Sequence, residues 1–260
     1  MRSNISRLSA ISALLLLTAC DHLTQTTSGN DWLAAHPPQT VDMTPGNIDQ
    51  AVRDAAAVEP LLRFPARIGI ARLNGWQLST IPPDEAKVWT DVAQHLGDKF
   101  GTFVPVSPFV VAMLEPARNP QVITSEARQT IETIRIAAAR QHLDAVLIYE
   151  ADATTNTKSN SLSLAEWTLI GAFVVPTENV RADGTAQAIL LDVRNAYPYG
   201  TVQTSADDTA STVRFERDEA SVAVRGKVRL SVVAKLAAES EVMMRKLQPE
   251  LAALDKKQLH

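Results

Sequence analysis

Cysteine is almost absent from this chain, since Cys20 is the only one among 260 residues. A single cysteine excludes an intrachain disulfide and a zinc site built from several cysteines. Aromatic residues make up 5% of the chain, no basic run with interleaved aromatics occurs, and the formal net charge is −4. We therefore expect no nucleic-acid partner. The 45% hydrophobic fraction predicts a folded globular domain rather than a disordered chain.

Motifs for nucleotide binding and covalent catalysis are also missing. The ten glycines form neither G-x-G-x-x-G nor G-x-x-x-x-G-K-[ST], and no G-x-S-x-G turn occurs. The histidines show no pair at the helical spacing of metal ligands. They are His22, His36, His95, His142 and His260. We assign them structural roles and predict no catalytic residue, metal ligand or cofactor.

The amino terminus has the three parts of a secretory signal. Arg2 and Arg7 precede an apolar stretch from Leu8 to Leu17, and small residues then lead to Cys20. The stretch is shorter than the about 20 apolar residues that span a bilayer. We predict a signal peptide over residues 1–19.

The four residues Leu17-Thr18-Ala19-Cys20 resemble the lipobox of bacterial lipoproteins. The resemblance implies cleavage before Cys20 and attachment of acyl chains, including palmitate, to that residue. Several chains would give a lasting anchor, because each buried methylene contributes about 0.8 kcal/mol whereas one chain binds only marginally. The alternative is a free cysteine beside an ordinary signal peptide. An aspartate at the next position, here Asp21, is similar to the inner-membrane retention signal of enterobacterial lipoproteins. We therefore favour the inner membrane over the outer one, with the protein facing the periplasm.

Residues 20–45 are rich in Thr, Pro, Gly and Asn and lack helical or strand periodicity. We predict a flexible tether here, with a reach of roughly 25 to 30 Å for about 25 residues. Trp32 and Leu33 either dock on the domain or rest among lipid headgroups. Residues 46–260 are predicted to form a single α/β periplasmic domain.

Hydrophobic periodicity in this domain predicts alternating helices and strands. The amino-terminal half shows a helix over 47–62, a strand over 66–73, a helix over 83–101 closed by Gly101, an extended piece over 103–108, a helix or strand over 108–114, a helix from Ser125 and a buried strand over Ala145–Tyr149. The later half shows strands over 161–176, 184–193 and 199–206, the last two joined as a hairpin around Asn195–Gly200. From Arg217 both a strand and a helix pattern occur, and the length favours a helix.

This order predicts the mixed α/β class, with one mixed sheet and helices packed on it. Over roughly residues 66–247 it resembles the periplasmic domains of curli-secretion lipoproteins and of the amino end of the TolB translocation protein. The resemblance is carried by ARIGIARL, RQHLDAVLIYEA and AILLDVRNAYPYGTV. It implies assembly with other envelope proteins.

Two groups of residues are candidates for a site. Glu150 and Asp152 lie two apart on a strand and therefore point to one side of the sheet, as an acid pair or as a solvated strand end. Trp76, Tyr197 and Tyr199 occupy turns, where they either form a binding edge or fold back over the core. Asp207 and Asp208 are interpreted as surface turn residues.

The anchor and the missing catalytic motifs favour a non-enzymatic envelope lipoprotein that binds or organises another envelope component. The membrane, through the lipid, and an envelope protein are its expected partners. The alternative is an anchored cell-wall hydrolase or ligand-binding protein that uses Glu150 and Asp152.

Overall fold

A computed structural model describes residues 23–36, 48–114, 126–159, 178–212 and 217–258. The helices of this part are α1 (Gly29–Ala35), α2 (Ile48–Ala56), α3 (Pro83–Leu96), α4 (Pro108–Ala112), α5 (Glu126–Arg140) and α6 (Arg217–Gln258). The strands are β1 (Leu23–Thr24), β2 (Ala66–Asn74), β3 (Gln77–Ser79), β4 (Gly101–Pro105), β5 (Ala145–Ser159), β6 (Glu178–Asp192) and β7 (Pro198–Thr212). The predicted signal peptide, Ser125 and the strand predicted over 161–176 lie outside the described residues.

All the described strands join one mixed sheet in the order β1-β7-β6-β5-β2-β3, with β4 beside the first half of β2. β2 is parallel to β4 and β5, whereas β5, β6 and β7 form antiparallel pairs along almost their whole length. The predicted mixed α/β class, with one sheet and helices packed on it, is confirmed.

Helices cover the two faces of the sheet unequally. α3 and α6 pack together on one face, where the largest apolar core includes Leu147, Leu190 and Leu236. α5 packs on the other face with α4 beside it, around Ile134, Val146 and Ile148. The 42 residues of α6 extend about 63 Å, enough to follow strands of 15 residues that extend about 50 Å.

Most predicted elements are present, and the alternatives left open are decided. The segment from Arg217 is a helix, and the segment 108–112 is also a helix. The predicted end of α3 at Gly101 is wrong. The helix ends at Leu96, because Gly97 adopts a φ of 74°. Gly101, with a φ of 103°, is instead the first residue of β4. It lies so close to Ala66 that a Cβ at position 101 would collide with the carbonyl oxygen of Ala66.

The amino-terminal segment, residues 23–36, differs from the predicted tether. Leu23 and Thr24 pair with Thr201 and Gly200 at the edge of the sheet. Ser28 then caps α1 by accepting a hydrogen bond from the Asp31 amide. The polar composition that predicted a linker also supplies the helix-capping groups of residues 23–36. The tether predicted over residues 20–45 as a whole stays a prediction, since residues 37–45 lie outside the described ranges. Trp32 stacks on His36, with ring centroids 4.4 Å apart, and α1 contacts α2.

A buried carboxylate joins four elements of the larger core. Glu85, at the start of α3, has no exposed surface. Its Oε2 accepts hydrogen bonds from Arg72 Nε of β2 at 2.9 Å and from the Tyr149 hydroxyl of β5 at 2.8 Å. Arg229 Nε of α6 lies 3.1 Å from Oε1. Burial and the charge of Glu85 raise the pKa of Tyr149, so that this hydroxyl stays protonated and continues to donate.

Replacing Glu85 with alanine should lower the free energy of unfolding by about 3 to 5 kcal/mol, because it leaves a buried arginine without its counter-ion. Urea denaturation measures the change. The control is Asp91→Ala, which removes an exposed ion pair with Lys87 on the same helix and should cost less than about 0.5 kcal/mol. Equal unfolding midpoints for the two variants would contradict this account.

Candidate functional surface

The predicted anchor residues Cys20 and Asp21 lie outside the described residues, and lipid attachment stays a prediction. The chain is described from Leu23, three residues after Cys20, and there it is already paired with β7.

Tyr197 and Tyr199 are buried, so the prediction that they form an exposed binding edge is wrong. Their exposed fractions are 3% and 0%, and their rings lie 5.1 Å apart. The alternative interpretation, in which both rings fold back over the core, is confirmed. The two rings are buried because the hairpin turn packs against the segment before β2. Asn195 Nδ2 of the turn donates a hydrogen bond to the carbonyl of Glu59 at 2.7 Å.

Tyr199 belongs to a buried polar network that the sequence analysis missed. Its hydroxyl donates to Asp192 Oδ2 at 2.8 Å and accepts from the amides of Leu61 and Leu62 at 3.0 and 2.6 Å. Arg194 Nη2 lies 3.2 Å from the same carboxylate. Burial and the charge of Asp192 raise the pKa of Tyr199, and the hydrogen bond to Asp192 raises that of Arg194. The signal available in the sequence was the acid at the end of the apolar run AILLDV.

Trp76 and Glu150 are brought together at the carboxyl end of β2. The amide of Gly75, in the β2–β3 turn, donates to Glu150 Oε1 at 3.2 Å. Thr130 Oγ1 of α5 donates to the Trp76 carbonyl at 2.5 Å. These two bonds fix the turn while the indole stays 46% exposed, and Trp76 is strained at φ 60°. Trp76 is therefore the one predicted aromatic that the fold presents to solvent.

Glu150 and Asp152 do share one side of the sheet, as predicted from strand alternation. Beyond the layer of α4 and α5, this side of the three long strands carries polar side chains. The exposed ones are Asp152, Thr154, Asn156, Arg181, Asp183, Thr185, Gln187, Gln203, Ser205, Asp207 and Thr209. Asp152 is thus one member of a polar strand face.

Asp207 and Asp208 lie within β7, so their interpretation as turn residues is wrong. The long hairpin continues past the point where the apolar pattern ends, because α6 covers its other face. Asp207 lies 3.5 Å from Arg181, and Asp208 pairs with Lys227 of α6 at 2.6 Å. The hydrogen bond from Lys227 lowers the pKa of Asp208.

The most exposed apolar side chains of the described residues lie on α4. Phe109 is 83% exposed and Met113, which follows the helix, is 76% exposed. α4 packs against α5 and against β3, the strand that follows Trp76. We call Trp76, Phe109 and Met113 the α4 surface. The sequence held a usable signal, because a one-turn helix of apolar residues (PFVVAM) cannot bury every side.

Histidines of the described part lie apart from one another. His36 stacks on Trp32, His95 lies 3.5 Å from Glu241 of α6, and His142 follows α5 at φ 56°. Within the described ranges no group of three or more His, Cys, Asp or Glu side chains is arranged to hold a metal ion. None of the described helices combines the length and apolar character needed to cross a bilayer.

Comparison with known proteins assigns no family to this chain. No family model and no curated protein matches. Solved structures that match this chain include the PelC dodecamer from Paraburkholderia phytofirmans, at 9% identity and a TM-score of 0.31, covering 71% of this chain and 89% of that one. A minor lipoprotein from Acinetobacter baumannii matches at 8% identity and a TM-score of 0.32, covering 71% and 92%. Lipoprotein GNA1162 from Neisseria meningitidis matches at 16% identity and a TM-score of 0.28, covering 66% and 99%. With TM-scores well below 0.5, these likenesses give the chain no function.

Tyr199→Phe should lower the free energy of unfolding by about 1 to 3 kcal/mol, because it leaves buried amides and a buried carboxylate short of a partner. Tyr197→Phe is the matched control and should cost less, since its hydroxyl donates to the Thr27 carbonyl at 3.2 Å and contacts the Gln25 side chain but bonds no buried carboxylate. Thermal unfolding compares the two, and a larger loss for Tyr197→Phe would contradict the network described here.

Proposed function

We propose that this protein is a lipid-anchored, periplasm-facing envelope protein that has no catalytic activity and binds another envelope protein through the α4 surface. The single observation that carries the anchor is the sequence Leu17-Thr18-Ala19-Cys20 at the end of a signal-like segment, in a chain with no other cysteine. The folded domain begins three residues later.

The binding part of the proposal rests on the exposure of Trp76, Phe109 and Met113. Large aromatic and Met side chains are enriched at the cores of protein interfaces. Here Phe109 lies on α4 and Met113 directly after it, and Trp76 lies in the turn before β3, against which α4 packs. A membrane is a poor occupant for this surface. β3 is the last strand on the path that begins with β1, so α4 lies at the sheet edge opposite the anchored end.

The absence of catalysis is part of the proposal, and the geometry of the acid pair supports it. Glu150 is engaged by the Gly75 amide, and Asp152 stands on an open polar strand face rather than in a cleft. An anchored hydrolase would instead need both carboxylates to converge on an enclosed substrate.

Processing at Cys20 tests the anchor. The amino-terminal peptide of the mature protein should begin with Cys20 carrying acyl chains, and Cys20→Ser should abolish palmitate labelling and membrane retention. The wild-type lipoprotein should fractionate with the inner membrane, and the Asp21→Ser variant should fractionate with the outer membrane, because it lacks the proposed retention signal. An unmodified Cys20 thiol in the mature chain would overturn the anchor.

Photo-crosslinking tests the surface. A crosslinking amino acid at Phe109 should give one discrete adduct with an envelope protein in intact cells, and the same group at Val222, exposed on α6, should not. Met113→Asp should weaken binding of the purified partner at least about tenfold, since it places a charge in an apolar interface. Glu150→Ala with Asp152→Ala should leave binding unchanged. An adduct that survives Met113→Asp, or that forms equally from residue 222, would refute the α4 surface as the binding site.

A further inference from the structure

The first part of the amino-terminal segment, residues 23–30, is fixed to the domain by hydrogen bonds. The Gln25 amide donates to the Tyr199 carbonyl at 3.0 Å, and Thr26 Oγ1 donates to Glu250 of α6 at 2.9 Å. Ser28 Oγ donates to Glu59 at 3.1 Å. With the β1 pairing to β7, these contacts make Leu23 part of the sheet edge.

The sequence distance from Leu23 to Cys20 is three residues. A chain of three residues extends at most about 10 to 11 Å, whatever its conformation. This limit is less than half of the roughly 25 to 30 Å expected from a flexible tether that runs to residue 45.

We propose that the sheet edge formed by β1 and the adjoining part of β7 rests at the lipid headgroups, and that the opposite edge, with β3 and the α4 surface, points away from the bilayer. The proposal rests on the lipid anchoring of Cys20 proposed above. It deepens that function by fixing which side of the domain faces the membrane and which side a periplasmic partner reaches.

The helix layers support an edge-on arrangement over one that lies flat. α6 and α3 project from one face of the sheet, and α4 and α5 project from the other. A bilayer resting against either layer would be separated from the sheet by the diameter of a helix, about 10 to 12 Å, which uses the whole reach of the three residues. Contact through the β1 edge needs no such distance.

The path from β1 to β3 crosses five strand-to-strand spacings. At about 4.8 Å each, these place β3 about 24 Å from β1 along the sheet. Two exposed glutamines mark the two edges, Gln203 on β7 and Gln77 on β3. Because the anchor uses the only natural cysteine, a cysteine introduced at either position takes a thiol-reactive fluorophore without competition.

The experiment compares Gln203→Cys and Gln77→Cys of the full lipidated protein, labelled with the same fluorophore and reconstituted in vesicles containing headgroup spin-labelled lipid. Quenching at residue 203 should exceed quenching at residue 77 about threefold or more, because β7 and β3 are four strand spacings apart, about 19 Å. Inserting 20 Gly/Ser residues between His22 and Leu23 adds a reach of about 25 Å and should bring the two positions to the same weak quenching.

The outcomes separate this inference from the proposed function. Failure of the wild-type protein to associate with vesicles, or association equal to that of Cys20→Ser, overturns the anchor itself. Vesicle association with equal quenching at residues 203 and 77, or with quenching unchanged by the insertion, overturns the edge-on arrangement and leaves the anchor standing.

Discussion

The packing of α6 along the three long strands is the constraint on which the rest of the fold depends. β5, β6 and β7 extend well past β2, and among the described helices only α6 is long enough to cover that extension on one face. Val224 and Val228 of α6 close a small separate core there against Ala182. The other face of the extension has no described helix over it, which explains its polar side chains. The sheet is therefore apolar on both faces where α5 and α6 cover it, and apolar on one face where α6 alone of the described helices covers it.

The buried polar groups stabilise the layers at points where apolar packing alone would not define a register. Glu85 ties α3 to α6 through Arg229 and to the sheet through Arg72 and Tyr149. Asp192 and Tyr199 perform a similar role at the other end, where they hold the segment before β2 and the hairpin turn. In the Glu85 cluster Oε2 accepts two hydrogen bonds, whereas Oε1 faces Arg229 Nε at 3.1 Å as an ion pair without a hydrogen bond. Opposite charges at this distance are what make the buried carboxylate tolerable.

Sequence patterns predicted the elements whose burial is regular and failed where a residue's partner is distant in the chain. Strand β2, the apolar start of β5 and the β6–β7 hairpin followed from periodicity, and α6 followed from the length of a segment whose periodicity was ambiguous. Glu85 stands in the first turn of α3, where the helix dipole alone would account for an acid, and nothing local in the sequence indicates that Arg72 and Arg229 converge on it. Tyr197 lies in the turn as predicted, whereas Tyr199 belongs to β7, and the burial of both depends on residues 59–62, about 140 positions earlier. Strand β3 has three residues and carries too short a pattern to be recognised.

The composition of the amino-terminal segment predicts a flexible linker, whereas the structure shows residues 23–30 bonded to the domain, and the two differ in how freely the domain can reorient. Threonine, serine and asparagine are common in linkers, and the same groups cap helices and bond to neighbouring backbone. In this chain they attach the segment to β7, α6 and the residues before β2. A domain on a long tether samples many orientations and presents every surface to its partners. Under the proposed anchoring at Cys20, a domain held three residues away at a sheet edge would present a restricted set, and the position of β1 would then limit which of its surfaces a partner can reach.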